Sequence, residues 1–254
     1  MSQNASQHEQ VADLISKFNL SLNLEIINIQ DISNKALKHL STTMPSLPFL
    51  FFDKEKITLA SVHQDIVKVT PDWQSLQKRI VTAGRNNELL LKSAKLNASM
   101  SVIDGTAGFG IDGLILASTG VRVTLIEQNP IIFLMLYFEK LKMSQHKNWQ
   151  KLMDRINIVF GDSHDIINHG LKHDLIYLDP MFPNDSYKGA VNKNMQILHD
   201  MVNPPTSDDE LRLFDAAIAK CDKLIIKRPL SAPNFADKSP NQSFNNEVIR
   251  FDVY

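Results

Sequence analysis

Runs of apolar, β-branched residues alternate with helix-like segments from residue 101 onward, and this alternation restricts the fold more than any other feature of the sequence. It is typical of βαβ units built around a parallel sheet. It predicts strands at residues 101–104, 122–127, 156–160, 174–178 and 223–226, and helices at 112–118, 130–143, 164–168 and 208–220. Ligands of open α/β sheets bind beyond the carboxyl ends of the strands. We therefore expect the chemistry in the loops at 104–110, 127, 161–163 and 179–182.

The first part of the chain follows a different pattern. Turn residues separate short β-like runs at 24–29, 49–52, 56–60 and 66–69. These runs predict a small, mostly antiparallel N-terminal α+β part over residues 1–72. Helix-like spacing at 73–83 and 88–96 then leads into a second domain, which we expect to occupy residues 73–254.

Charge, cysteine content and hydropathy exclude several classes of protein. The 27 Lys and Arg residues nearly balance the 28 Asp and Glu residues, so a surface that binds nucleic acid must be local. The longest apolar run, residues 131–138, is much shorter than the roughly 20 residues of a transmembrane helix. Cys221 is the single cysteine, and His164, His169 and His173 lack a convergent set of metal ligands. We expect a cytoplasmic protein with no membrane span and no metal.

The loop at residues 104–110 is a glycine-rich turn that reads DGTAGFG. Its glycines, Gly105, Gly108 and Gly110, allow a tight turn and let a ligand approach bare backbone. Their G-x-x-G-x-G order reverses the G-x-G-x-x-G order of dinucleotide-binding enzymes, which argues against the interpretation of the chain as a nicotinamide oxidoreductase. With Asp104 at its start, the turn resembles the cofactor loop of S-adenosylmethionine-dependent methyltransferases. A glycine-rich connector without a ligand is the alternative.

Two further strand ends carry polar side chains suited to a nucleoside. Glu127 ends the second strand, where a carboxylate can accept hydrogen bonds from both ribose hydroxyls, as it also does in NAD enzymes. A solvated charge at a strand end is the alternative. Asp162 and Ser163 follow the third strand, where either side chain could meet an adenine edge. Asp162 could equally be the N-cap of a helix.

The segment DPMFP at residues 179–183 discriminates best between cofactor-binding families. Asp179 and the carbonyl of Pro180 can accept hydrogen bonds from an amino group on a planar base, while Phe182 stacks on that base. The segment resembles the Asp/Asn-Pro-Pro-Tyr/Phe motif of methyltransferases that act on exocyclic amines, with Met181 in place of the second proline. A rigid proline loop with a packed phenylalanine is the alternative.

Lys227 and Arg228 end the fifth predicted strand at the same edge of the sheet. From that position, two cationic groups could contact a phosphate or the substrate base. A charge pair at a strand end without a ligand is the alternative.

Taken in order, residues 104–112, 125–130, 177–183 and 226–229 resemble the bacterial ribosomal RNA small subunit methyltransferase J family. The likeness covers about residues 80–254, including Gly84, Arg85 and Glu88. It implies a Rossmann-like class I methyltransferase: a mostly parallel seven-stranded α/β sheet with helices on both faces. It also implies methyl transfer from S-adenosylmethionine to the exocyclic N2 of a guanosine in 16S rRNA, free or in the small ribosomal subunit.

The same resemblance implies a set of cofactor contacts beyond the glycine turn, namely Ile111, Asp112, Glu127, Gln128, Asp162, Ser163 and Asp179. The family usually has arginine where Ile111 and Gln128 stand, so this chain lacks those guanidinium contacts. Substrate contacts are expected from Arg85, Phe182, Lys227 and Arg228. The catalytic group is expected to be Asp179, Pro180 and Phe182.

Catalysis in this interpretation comes mainly from holding the amine in line with the methyl donor, after the base has left its stack. Three alternatives remain open. An N6-adenine DNA methyltransferase would use the same amine-binding motif. A nicotinamide oxidoreductase would share the acidic strand end. A non-catalytic RNA-binding or ribosome-assembly module could keep the fold without the activity.

Overall fold

The computed structural model describes residues 2–22, 33–43, 49–53, 56–62, 66–181, 201 and 204–254. Two sheets are formed within these ranges, one with three strands and one with seven. None of the helices that lie in them is long and apolar enough to cross a membrane.

The larger sheet confirms the fold expected from the alternating pattern. Its strands are β4 (Ser101–Asp104), β5 (Arg122–Glu127), β6 (Ile156–Phe160), β7 (Leu175–Leu178), β8 (Leu224–Pro229), β9 (Gln242–Asn245) and β10 (Ile249–Val253). They lie in the order β6-β5-β4-β7-β8-β10-β9. The first five in this order run parallel, and β10 pairs antiparallel with β8 and β9.

Helices cover both faces of this sheet, as expected for a doubly wound arrangement. They are α3 (Gln77–Thr82), α4 (Leu89–Ala94), α5 (Ile111–Ser118), α6 (Pro130–Ser144), α7 (Gln150–Met153), α8 (Ser163–His169) and α9 (Ser207–Ala219). One apolar cluster fills the face that α5 and α6 cover, and a second fills the face that α8 and α9 cover. The second includes Ile103, Ile126, Ile176 and Ile226, one from each of four neighbouring strands.

The fifth strand is longer than predicted. We expected it to end at residue 226, whereas β8 continues to Pro229. Lys227 and Arg228 therefore lie within the strand, where successive side chains point to opposite faces. This extension separates two residues that the sequence placed together.

The N-terminal part contains helices that the sequence pattern did not predict. These are α1 (Ser2–Lys17) and α2 (Asn34–Thr43), and they accompany the antiparallel strands β1 (Phe49–Asp53), β2 (Lys56–Val62) and β3 (Ile66–Val69). The strand predicted at 24–29 lies outside the described residues. The ring of Phe18 packs edge-on against Phe133 and Tyr137 of α6. The N-terminal part thus shares a core with the larger sheet, and the division at residue 72 stays a prediction.

Candidate active site

The glycine-rich turn connects β4 to α5 and lies against the ends of two neighbouring strands. The Gly105 N–H donates to the carbonyl of Tyr177 over 2.9 Å, and the Ala107 N–H donates to that of Ile126 over 3.0 Å. Gly108 and Gly110 have φ of +53° and +73°, a region that side chains disfavour. A Cβ at Gly110 would lie 2.9 Å from Leu136, whereas a Cβ at Gly108 would meet nothing within 4 Å. Gly108 therefore presents open backbone.

Glu127 joins the end of β5 to this turn. One carboxylate oxygen accepts a 2.9 Å hydrogen bond from the Gly108 N–H, and the other accepts a 2.7 Å bond from the Asn129 N–H. The residue is 7% exposed, and burial raises the pKa of its carboxyl group to about 7, against the opposing effect of these bonds. Glu127 thus lies at the predicted position, and it also fixes the turn.

The other predicted cofactor contacts lie around the same opening. Ile111, Asp112, Gln128, Asp162 and Ser163 all line one cleft together with Glu127 and the glycine turn. Asp162 is indeed the N-cap of α8, where its side chain accepts from the Asp165 N–H over 3.2 Å. The Ser163 hydroxyl donates to the carbonyl of Gly105.

Asp162, His164 and Asp165 also form the group of described residues that could hold a metal ion. Their potential ligand atoms lie within 4.8 Å of one another. A 2.9 Å contact between His164 and Asp165 and the helix cap at Asp162 account for this placement. The expected absence of a metal stays a prediction.

Asp104 lies at the base of the cleft, beneath the turn. It is 1% exposed, and one oxygen accepts from the Thr106 N–H over 3.2 Å. Burial, with the negative charge of Asp112, raises the pKa of its carboxyl group well above the usual range. Asp104 therefore binds a proton more readily than an ordinary carboxyl group, and it supports the turn from below.

Asp179 lies at the floor of the cleft in a network of charged and polar groups. Its Oδ2 is 2.7 Å from the ammonium group of Lys227, which is also 3.1 Å from Asp112 Oδ2. The buried Tyr177 hydroxyl donates to the same Asp112 oxygen over 2.6 Å. The Asp179 N–H donates to the Thr106 hydroxyl over 2.5 Å. The end of β7, β8, the glycine turn and α5 thus together hold Asp179 in place.

The charges in this network stabilise one another. Burial raises the pKa of Asp179, and the nearby ammonium group of Lys227 opposes that rise. Burial would lower the pKa of Lys227, but Asp179 and Asp112 outweigh that effect and raise it above its usual value. Lys227 is therefore charged at neutral pH and is already bonded to two carboxylates. Lys227 lies at the predicted edge of the sheet, and the groups that it contacts there are carboxylates of the protein itself.

The cleft has a volume of about 920 Å³ and opens at the carboxyl ends of the parallel strands. Pro180 and Met181 form part of its wall, and Phe182 lies outside the described residues. Pro204 and Pro205 line another part of the wall, near Arg212. The opening is large enough for a nucleoside-sized ligand and part of a second group.

Two of the predicted substrate contacts lie elsewhere. Arg228 is 4% exposed on the other face of β8, where it contacts Glu210 at 3.2 Å and the Pro233 carbonyl at 3.1 Å. Arg85 donates to the Leu96 carbonyl over 3.0 Å, near the start of β4 and away from the cleft. Neither side chain lines the cleft, so this geometry does not support a contact from either to a base bound there, and their roles as substrate contacts stay predictions.

Arg79 and Glu88 line the cleft, although neither was among the predicted site residues. Their side chains form a two-pronged ion pair with distances of 2.7 and 2.8 Å. The bond to Glu88 raises the pKa of Arg79, with smaller effects from Asp112 and Tyr177. Arg79 is thus close to the floor of the cleft. Its partner lies beyond a helix break, so no periodic pattern links the two residues.

Comparison with known proteins identifies the family. Residues 33–254 match the model of a family of SAM-dependent methyltransferases. The chain is 44% identical to the ribosomal RNA small subunit methyltransferase J of Psychrobacter cryohalolentis, over 98% of this chain and 92% of that protein. The chain belongs to this methyltransferase family. The protein of the same name from Acinetobacter baylyi is 31% identical over 91% of this chain and 87% of its own length.

A solved structure confirms the fold of this methyltransferase. The SAM-dependent methyltransferase of Neisseria gonorrhoeae matches with a TM-score of 0.69 and 25% identity, covering 97% of this chain and 91% of that one. The Rossmann-like sheet is therefore shown by the topology and by this likeness together.

S-adenosylmethionine is the cofactor of the family, and the cleft fits such a group. The backbone at Gly108 is open, since a Cβ there would meet nothing within 4 Å. Glu127 brings a carboxylate acceptor next to it, and Asp112 and Asp179 add negative charge for a cationic sulfonium. These acceptors and negative charges thus suit an adenosyl group that bears a positive charge.

Proposed function

We propose that this methyltransferase transfers a methyl group from S-adenosylmethionine to the exocyclic N2 amine of a guanosine in 16S rRNA. The single observation that carries the proposal is the carboxylate of Asp179. Its Oδ2 is bonded to Lys227, whereas its Oδ1 accepts no hydrogen bond from any described residue. Asp179 therefore offers one fixed acceptor to an amine, beside the carbonyl of Pro180. The name of the relatives supports rRNA of the small subunit as the substrate.

The cofactor is proposed to lie along the glycine turn, with its ribose on Glu127 and its adenine near Asp162 and Ser163. When bound, it supplies an electrophilic methyl group on a sulfonium. Ile111 and Gln128 would contribute backbone contacts, since neither side chain carries a guanidinium group. Asp112 would lie near the sulfonium from the first turn of α5.

The protein's own residues act by positioning. Asp179 Oδ1 and the Pro180 carbonyl accept the two N–H groups of the amine, which directs the nitrogen lone pair toward the methyl donor. Lys227 opposes the rise in the pKa of the Asp179 carboxyl group and holds it in one orientation. No strong base is required, because the amine loses its proton during or after transfer. Phe182 remains the proposed stacking partner of the base.

Arg79 and Glu88 give this cleft groups that match guanine. Arginine donors commonly bond the O6 and N7 acceptors of guanine, and a carboxylate can accept from an N–H of a base edge. Both side chains line the cleft and hold each other in a fixed geometry. We propose that they read the guanine ring while Asp179 holds its amino group. Adenine has an amino group in place of O6, so Arg79 would disfavour it.

Mapping modified nucleotides by mass spectrometry tests the proposal. A strain lacking the gene should lose one N2-methylguanosine from 16S rRNA, and the wild-type gene should restore it. A gene carrying Asp179→Ala should fail to restore it, because that variant lacks the acceptor for the amine, although it folds. An unchanged modification map would refute the rRNA substrate. Methylated adenine in DNA would favour the DNA methyltransferase, and failure to bind S-adenosylhomocysteine would favour a non-catalytic module. An rRNA substrate also implies a cytoplasmic location.

A further inference from the structure

Basic side chains lie along the edge of the large sheet opposite the cleft. Because β4 to β8 run parallel, their first residues meet at this edge, here called the amino edge. Arg122 begins β5, Arg155 immediately precedes β6, and Lys223 immediately precedes β8. The starts of β4 and β7 lie between Arg122 and Lys223 at this edge, and there Asp174 accepts a 2.7 Å hydrogen bond from the Ser101 N–H. The basic side chains therefore form two groups, one on each side of this uncharged pair of strand starts and its single carboxylate.

Two further cations lie beside Lys223: Lys95, which follows α4, and Arg85, which lies in the turn between α3 and α4. Arg85 donates to the Leu96 carbonyl over 3.0 Å, and Lys223 donates to the Ala94 carbonyl over 2.7 Å. Their acceptors are thus the carbonyls of the two residues that flank Lys95. Burial, followed by the positive charges of Lys95 and Arg85, lowers the pKa of Lys223. These three groups are therefore close enough to repel one another.

The other group surrounds a depression of about 490 Å³ at the same edge. Arg122, Lys151 and Arg155 line it, and Asp154 is the one carboxylate among its lining residues. The loop at 98–101 forms another part of the lining and continues directly from Lys95. The two groups are thus parts of one surface. We call it the amino-edge cluster, which consists of Arg85, Lys95, Arg122, Lys151, Arg155 and Lys223.

The amino-edge cluster differs from the cleft in how its charges are balanced. None of its six members forms an ion pair with another residue in the part of the chain that the structure describes. In the cleft, by contrast, Arg79 is paired with Glu88, and Lys227 with Asp112 and Asp179. The cluster is therefore the described surface where positive charge is concentrated and unpaired.

An enzyme that acts on RNA needs such a surface. Contacts to phosphates supply most of the affinity of nucleic-acid-binding proteins. The whole chain has a net charge of −1, and in the cleft seven carboxylates outnumber three cations. The carboxylates belong to Glu88, Asp104, Asp112, Glu127, Asp162, Asp179 and Asp209, and the cations to Arg79, Arg212 and Lys227. This opening suits a base and a cationic sulfonium better than a phosphate backbone, so a separate surface for phosphate contacts is favoured.

We propose that the amino-edge cluster binds the phosphate backbone of RNA at positions remote from the methylated nucleotide. The proposal rests on the proposed function, because that function makes a large folded RNA the substrate. The cluster would hold the backbone of one segment while the cleft acts on a base of another. Phosphate contacts of this kind position a protein on RNA without reading sequence.

The test compares two variants that each lose three positive charges. Lys95→Gln, Arg122→Gln and Lys151→Gln are combined in one protein, since these side chains are exposed and make no hydrogen bond to a described residue. The control combines Lys35→Gln, Lys38→Gln and Lys56→Gln, which are exposed in the N-terminal part. The Kd of each protein for 16S rRNA is measured over a range of salt concentrations. Calorimetry with S-adenosylhomocysteine checks that the cleft is intact.

The amino-edge variant should bind rRNA roughly tenfold or more weakly, with the slope of log K against log salt reduced by about 3. The control should keep the wild-type slope, and all three proteins should bind S-adenosylhomocysteine equally. Equal slopes for the two variants would overturn the proposal, whether both equal the wild type or both are reduced. If the cluster binds an acidic protein instead of RNA, the two variants should likewise show equal slopes for rRNA binding, which would overturn the proposal. If 16S rRNA is not methylated, the proposed function fails, yet the slopes still decide this inference.

Discussion

The ammonium group of Lys227 lies 2.7 Å from Asp179 Oδ2 and 3.1 Å from Asp112 Oδ2, between two carboxylates of the cleft. All three side chains are partly buried. The ammonium group of Lys227 thus balances the charge of Asp179, the residue proposed to hold the substrate amine. We expect removal of that ammonium group to change both the rate of methylation and its dependence on pH.

Lys227→Met should lower kcat for rRNA methylation by about a hundredfold, because small displacements of a positioning group have effects of that size. Without the ammonium group, the pKa of Asp179 rises further, so the acidic limb of the pH–rate profile should move to higher pH. Lys172→Met is the control, since it removes an exposed ion pair with Asp222. An unchanged pH–rate profile would contradict the positioning role.

Glu127 should make cofactor binding dependent on pH. Burial raises the pKa of its carboxyl group to about 7, so a falling pH protonates it and removes an acceptor for the ribose. The affinity for S-adenosylhomocysteine, measured by calorimetry, should therefore fall as the pH drops through about 7. Glu127→Gln should bind roughly tenfold or more weakly and without this pH dependence. A pH dependence that persists in the variant would assign the titration to another group.

The same raised pKa affects stability in the absence of ligand. Below the unfolded value of 4.5 both states are protonated, so Glu127 has no effect there. As the pH rises from 4.5 through about 7, the unfolded chain loses its proton first, and the folded state becomes relatively less stable. Denaturant titrations of Glu127→Gln and the wild type should therefore show a difference in the free energy of unfolding that shifts in favour of the variant across this range. A constant difference would argue against the raised pKa.

Gly108 and Gly110 should respond differently to alanine. At Gly110 a Cβ would lie 2.9 Å from Leu136 and 3.0 Å from Trp73, so Gly110→Ala should lower the free energy of unfolding by about 2–4 kcal/mol. Gly108→Ala meets no protein atom and should lose only about 1 kcal/mol from its positive φ. It should nevertheless weaken cofactor binding, because its methyl group enters the cleft. Equal thermal stabilities would contradict this distinction.

Glu88→Ala tests the proposed reading of guanine. The variant should lower kcat/KM for rRNA by about tenfold, as expected for the loss of one good contact to a base edge. Its Kd for S-adenosylhomocysteine should stay close to the wild-type value. Glu9→Ala, on the exposed side of α1, is the matched control. Equal losses of rRNA methylation and of cofactor affinity would show that Glu88 supports the cofactor instead.

The prediction of the large sheet succeeded because its signal is local. The strands at 101–104, 122–127 and 156–160 have the predicted bounds, since continuous apolar runs between turn residues can be read without knowing their neighbours. The antiparallel strands β9 and β10 lack that signal, because β9 is a mostly exposed edge strand and β10 contains the charged residues Arg250 and Asp252. Helix α1 was also missed, since its sequence is polar and its apolar positions become clear only against α6.

The sequence alone determined the strand ends and therefore the glycine turn, Glu127 and Asp179, since parallel strands bring their carboxyl ends to one edge. The tertiary structure decided the rest. It separated Lys227 from Arg228, because β8 continues past them and alternates their faces. It brought Arg79 into the cleft and left Arg85 at the opposite edge. Such placements depend on the packing of segments distant in the chain, and local patterns of residues carry no information about that packing.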